Sequence, residues 1–66
     1  MMTLSHRIKQ LRLNNHWTQV NLAVKLKVRQ NSVAGWESGL GITLKHCRKM
    51  CKVLNIGLSD FFEGVE

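Results

Sequence analysis

An all-α fold, a compact bundle of five short helices, is what this 66-residue sequence predicts, and three observations predict it. Apolar residues recur at spacings of three and four nearly throughout, the period of one helix face. Nowhere do β-branched residues alternate well enough to argue for a strand. There is no proline, linker, low-complexity tract or internal repeat, so tight turns join the helices within one domain, residues 1–66. A domain this small buries only about 60% of the surface its unfolded chain exposes, so dimerisation or a ligand would help to stabilise it.

Leu4, Ile8 and Leu11 fall at i, i+4 and i+7, one face of a first helix that Thr3 or Ser5 can cap. Asn14-Asn15 ends it, because asparagine tolerates the left-handed backbone that closes helices. Thr18 reads as the N-cap of a second helix, with Trp17 before it placed to pack on Leu22. Val20 or Ala23 joins Leu22 and Leu26 on the apolar side. After Lys27-Val28 a third helix runs from Arg29 or Gln30 to Ser38, with Val33 and Trp36 inward and Gly39 as its stop. Thr43 caps a fourth helix with the stripe Leu44, Cys47, Cys51 and Leu54, and Gly57 separates it from a final turn around Ser59 to Phe62.

Charge is distributed very unevenly. The net charge is +6, yet ten Lys and Arg residues share the first 59 positions with a single acid, Glu37. Asp60, Glu63 and Glu66 all lie in the last seven residues. Such a basic body points to a polyanion, with nucleic acid first and an acidic membrane surface second. Composition, at 44% hydrophobic and 21% charged, fits a globular chain. No apolar run approaches the roughly 18 residues of a membrane span, and the N-terminus lacks the apolar stretch of a signal peptide, which places the protein in the cytoplasm.

The second and third helices carry the chemistry. Each is too short to be stable alone, so they must brace one another across a steep angle, as in a helix-turn-helix. The outer side of the third helix holds Arg29, Gln30, Asn31, Ser32 and Gly35, all polar or minimal. Gln and Asn can bond an adenine edge with donor and acceptor together, so this face is suited to reading bases.

Other constellations point elsewhere and are weaker. His46, Cys47 and Cys51 could suggest zinc, but both cysteines fall on the apolar stripe, where a free Cys packs as a small hydrophobe. His6 and His16 belong to no ligand motif, so no metal and no cofactor is expected. Met50, Phe61 and Phe62 read as core and dimer surface rather than a small-molecule pocket. With one acid before residue 60, no paired carboxylates can form, and no nucleophile has a base with an orienting acid. The chain is not expected to be an enzyme.

At this point the sequence resembles a known family, the helix-turn-helix domain of phage Cro and CI repressors, often called the XRE type. The resemblance runs from Ile8-x-x-Leu11-Arg12 through Trp17-Thr18-Gln19-x-x-Leu22-Ala23 and Val33-x-x-Trp36-Glu37-x-Gly39 to Leu54-x-Ile56 and Phe61-Phe62. It implies that Gln30, Asn31 and Ser32 reach base edges in the major groove, with Gly35 one turn later where relatives often carry a longer polar side chain. Gln19, Arg29, Thr43, Lys45 and Arg12 would lie along the DNA backbone. Ala23 would be small because two helices cross there, and Val33 and Trp36 would be buried anchors. Glu37 would pair with Arg12, whose fork-shaped guanidinium suits a carboxylate better than lysine does. Leu58 and Phe61 would contribute to a homodimer interface.

Three positions depart from the family pattern. Lys27 stands where a turn glycine is usual, Arg29 where a Ser or Thr cap is usual, and Gly35 where a longer side chain is usual. Together these observations imply a repressor-like, sequence-specific regulator of transcription that binds double-stranded DNA as a dimer. The alternatives are a protein-interaction adaptor with the same helices, or the same module acting as a phage lysis–lysogeny repressor, a restriction–modification controller or an antitoxin.

Overall fold

Threonine hydroxyls start three of the five helices. In the computed structural model, which describes residues 2–66, the elements are α1 (Leu4–Asn14), α2 (Gln19–Leu26), α3 (Gln30–Glu37), α4 (Leu44–Leu54) and α5 (Leu58–Phe61). Thr3, Thr18 and Thr43 each take extended backbone and accept a hydrogen bond from the N–H three residues on, at His6, Asn21 and His46. Thr18 gains a reciprocal bond, its own N–H donating to Asn21 Oδ1 at 3.0 Å. Each such cap stabilises a helix by about 1 kcal/mol. Arg29 opens α3 without any side-chain cap bond, as its departure from Ser or Thr implies.

Four helix ends share one closure. A residue with positive φ follows the last turn, and the next N–H reaches back five residues to a helical carbonyl. These bonds are Trp17 to Arg12, Val28 to Ala23, Leu40 to Gly35 and Ile56 to Cys51, at 2.9 to 3.2 Å. The residues in positive φ are His16, Lys27, Gly39 and Asn55, so a glycine stands at only one of the four. At the end of α1 it is His16, rather than Asn14 or Asn15, that turns left-handed; Asn15 instead donates its side-chain amide to Leu11 O at 2.8 Å.

The core gathers one face from every helix: Ile8 and Leu11, then Leu22, Ala23 and Leu26, then Val33 and Trp36, then Cys47, Met50 and Cys51, and finally Phe61. On α2 Ala23, not Val20, joins the leucines; Val20 is exposed. On α4 Cys47 and Cys51 are buried, Leu54 packs beside them and Met50 is fully buried, whereas Leu44, in the first turn, is 61% exposed and leaves the expected stripe. Phe61 lies wholly in the core, packed edge-on against Phe62. It therefore cannot present a dimer surface, which corrects that expectation.

The chain ends are tied together as well. Arg7 donates from Nε to Phe61 O at 3.1 Å and from an Nη to Asp60 O at 2.6 Å, satisfying carbonyls of α5 from α1. Met2 and Val65 form a parallel bridge, and Glu66 N–H donates to Met2 O. No helix among the described residues is long and apolar enough to cross a membrane.

The left-handed Lys27 (φ 59°) yields a direct test. An L side chain there costs about 1–2 kcal/mol, against about 0.5–1 kcal/mol of extra unfolded-state entropy for glycine. Lys27→Gly should therefore raise stability by roughly 0.5–1 kcal/mol in urea unfolding. A destabilised variant would show that the lysine stem supplies compensating contacts.

Candidate nucleic-acid interface

Lys27 to Arg29 turn the chain sharply enough for α2 and α3 to pack against each other. Ala23 is buried within this arrangement, and Val33 and Trp36 anchor α3 from beneath. Trp36 is further covered by His46 of α4, with ring centroids 5.2 Å apart. The opposite side of α3 faces outward. Gln30 and Asn31 are exposed there, and Ser32 is half-buried beside them. Among the described residues none of the three side chains is engaged in a hydrogen bond, so their donors and acceptors are open to a ligand.

The single acid of the basic body sits at the far end of this helix. Arg12 donates from Nε to Glu37 Oε2 at 2.7 Å and from an Nη to Glu37 Oε1 at 3.0 Å, a two-pronged bond. Its other Nη donates to Trp17 O at 2.7 Å, and the two side chains are only 8% and 5% exposed. Gln19 Nε2 donates to Glu37 Oε1 at 3.2 Å. One carboxylate thus fastens α1, the start of α2 and the end of α3. Burial alone would raise the Glu37 pKa, but bonds from Arg12 and Gln19, with the charges of Arg12 and Lys9, overcome it and hold the group below its ordinary value. The hydrogen bond to Glu37 likewise raises Arg12 against the opposing effect of burial.

These contacts sort the expected residues. Arg12 is buried with its guanidinium committed inside the protein, so it is a structural residue and not a phosphate contact. Gln19 is half-buried at the start of α2; one amide hydrogen goes to Glu37, leaving its second hydrogen and the helix N-terminus open. Arg29 and Lys45 are exposed at the starts of α3 and α4. Thr43 is exposed too, with its hydroxyl occupied by the His46 backbone and 3.0 Å from His46 Nδ1.

Gly35 is not an open base-facing position. A Cβ built on it would meet Leu40 Cδ1 at 3.1 Å, so Leu40 fills the space that a side chain there would occupy. Sequence patterning missed Leu40 because it belongs to a loop with no periodicity; an apolar residue just after a helix-stopping glycine was the available signal. Cys47 and Cys51 are buried and free, and burial pushes both thiols above the ordinary range.

Two short helices braced at a tight turn, the second anchored inward and polar outward, define a helix-turn-helix. The comparisons with known proteins agree. The helix-turn-helix family model matches residues 8–61, and the chain belongs to that family, of the XRE type. Its fold is that of SinR, described as the master regulator for biofilm formation and solved in complex with DNA. The two superpose with a TM-score of 0.81 over 92% of this chain and 100% of that one, at 21% identity. No curated protein sequence matches this one significantly. The family is one of DNA-binding regulators.

Removing one partner of a buried ion pair strands the other charge. Glu37→Gln should cost about 3 kcal/mol, lowering Tm by roughly 10 °C or more; an unchanged melting curve would make the pair energetically idle. The pH dependence has a definite sign. Because folding lowers the Glu37 pKa, its contribution is complete above the unfolded value, about 4.3. It is then lost as pH falls through the lower folded value. The difference in stability between wild type and Glu37→Gln should therefore shrink through that acid window.

Proposed function

We propose that this chain is a repressor-like, sequence-specific regulator of transcription that inserts α3 into the major groove of double-stranded DNA. The observation that carries this reading is the outward face of α3: exposed Gln30 and Asn31, with Ser32, on a helix anchored by Val33, Trp36 and Glu37. Amide side chains can pair two atoms of an adenine edge at once. A helix anchored through its middle and at its C-terminal end presents them in fixed register, which reduces the ordering cost of recognition. That SinR was solved with DNA supports this use of the fold.

Affinity in this reading comes from phosphate neutralisation, with Arg29 and Lys45 flanking α3 and the N-terminus of α2 at Gln19 facing the backbone. Glu37, held by Arg12, no longer presents a repulsive charge to the DNA. One module covers a single half-site, so two copies would bind half-sites about one helical turn apart. Leu58 of α5 (42% exposed) and Leu44 of α4 (61% exposed) line one groove, and in this reading they would form the contact between copies. Lys45, Arg48, Lys49 and Lys52 rim that groove. Their mutual repulsion opposes association of free chains, and phosphate charge offsets it, so pairing is favoured on DNA.

Duplexes selected from a random pool supply the test. Binding should weaken linearly in log–log form as salt rises. Gln30→Ala should cost roughly 1–3 kcal/mol on the selected duplex and almost nothing on a scrambled one. Equal losses on both would remove Gln30 from the reading face, and salt-independent binding would remove DNA as the partner. Leu58→Glu should abolish the cooperative two-copy complex while leaving single half-site binding intact; retained cooperativity would relocate the interface.

A further inference from the structure

We infer that Leu40 is a specificity-determining residue of the DNA interface, its methyl groups packing on the 5-methyl group of a thymine in the major groove. The inference deepens the DNA-reading role proposed for α3 and rests on it.

Four helix ends close with the same backbone bond. In each, an apolar residue follows the residue with positive φ: Trp17, Val28, Leu40 and Ile56. Such closures usually bring that apolar side chain back onto the helix they terminate. Trp17, Val28 and Ile56 do so on the inner side and pack against the core. Leu40 does not join the core and remains 69% exposed.

The reason lies at Gly35, whose carbonyl accepts the closing bond from Leu40 N–H at 2.9 Å. Leu40 Cδ1 stands 3.1 Å from where a Cβ of residue 35 would lie. Real Cβ atoms rarely tolerate so close a neighbour, so the missing side chain of Gly35 is what admits the leucine. Gly35 follows Asn31 by four residues and Ser32 by three, which places all three on one helix face. The exposed end of Leu40 is therefore the C-terminal continuation of the surface that Gln30, Asn31 and Ser32 begin.

The chemistry of that position selects its contact. A leucine offers nothing to a phosphate oxygen or to a base-edge donor or acceptor. The one apolar group a base pair presents in the major groove is the thymine C5-methyl. Five residues of helix from Gln30 to Gly35 span about 7.5 Å, so the thymine lies roughly two base pairs from the base that Gln30 contacts. The family position that commonly carries a long polar side chain is thus replaced in this chain by an apolar one supplied from the loop.

The test uses duplexes selected from a random pool by the full chain. Each thymine of the selected site is replaced in turn by deoxyuridine, which lacks only the methyl group, and affinity is measured for wild type and Leu40→Ala. Losing one buried methyl-sized contact weakens binding about fourfold. Wild type should lose about that factor at one thymine per half-site. Leu40→Ala, folded as judged by its melting curve, should lose it on the thymine duplex and show no further loss with uracil there. Two results would overturn the inference alone: a uracil penalty of equal size in both proteins, or no thymine whose methyl matters. Failure to select any duplex would overturn the DNA-reading role beneath it, a distinct and recognisable outcome.

Discussion

The two-pronged bond between Arg12 and Glu37 is the constraint on which the rest of the arrangement depends. α3 is eight residues long, with two apolar anchors, Val33 and Trp36, and a glycine in its last turn. A helix of that length does not hold itself together in water. Hydrophobic anchors fix its depth but only loosely its rotation about its own axis. The ion pair supplies the missing restraint, because a planar guanidinium and a planar carboxylate meet in one geometry. With Trp17 O and Gln19 attached to the same network, α1, α2 and α3 share a single polar joint. Burying two charges contributes little net stability compared with an apolar pair of the same volume. Its worth lies in the fixed register of Gln30 and Asn31.

The same joint resolves the electrostatic problem of a very basic chain. Nine of the ten Lys and Arg side chains have no carboxylate within ion-pair distance among the described residues; Arg12 alone is paired. A free acid near α3 would repel phosphate and desolvate at a cost on binding. Glu37 avoids both by being already paired and buried. The cations that remain unpaired form the positive field, and the other three acids lie in the C-terminal tail, where Val65 and Glu66 meet Met2.

Much of this was legible in the sequence for local reasons. Caps at Thr3, Thr18 and Thr43 are local hydrogen bonds, and each expected cap forms. The resemblance, which puts a turn glycine at Lys27, implied positive φ there, and it is present. What was not legible depends on distance or on competing residues of one type. On α4 Cys47, Cys51 and Met50 are core and Leu54 packs on it, but Leu44, which fits the same three-four spacing, is exposed, because only packing against the other helices decides where the stripe begins. Phe61 and Phe62 are adjacent, so patterning could not say which enters the core. His16 rather than an asparagine closes α1 because the bond from Trp17 to Arg12 fixes where the turn falls. The Arg7 bonds to α5 join residues more than 50 apart, and no local pattern encodes them. Pairing of Arg12 with Glu37 came only through family resemblance, and its geometry excludes the backbone contact that the same resemblance allotted to Arg12.

The most direct test of the account is a nuclear magnetic resonance titration of the isotope-labelled chain with a selected duplex, following every backbone amide and the Arg12 Nε–H together. The account predicts the largest changes at the start of α2, along residues 29–35 and through the loop from Leu40 to Lys45. The Arg12 Nε–H signal should stay protected from solvent exchange in the free and bound states, because the joint with Glu37 is rigid throughout. Changes concentrated on α4 and α5 with α3 silent, or an Arg12 signal that exchanges freely once DNA is bound, would contradict a recognition helix held in register by that bond.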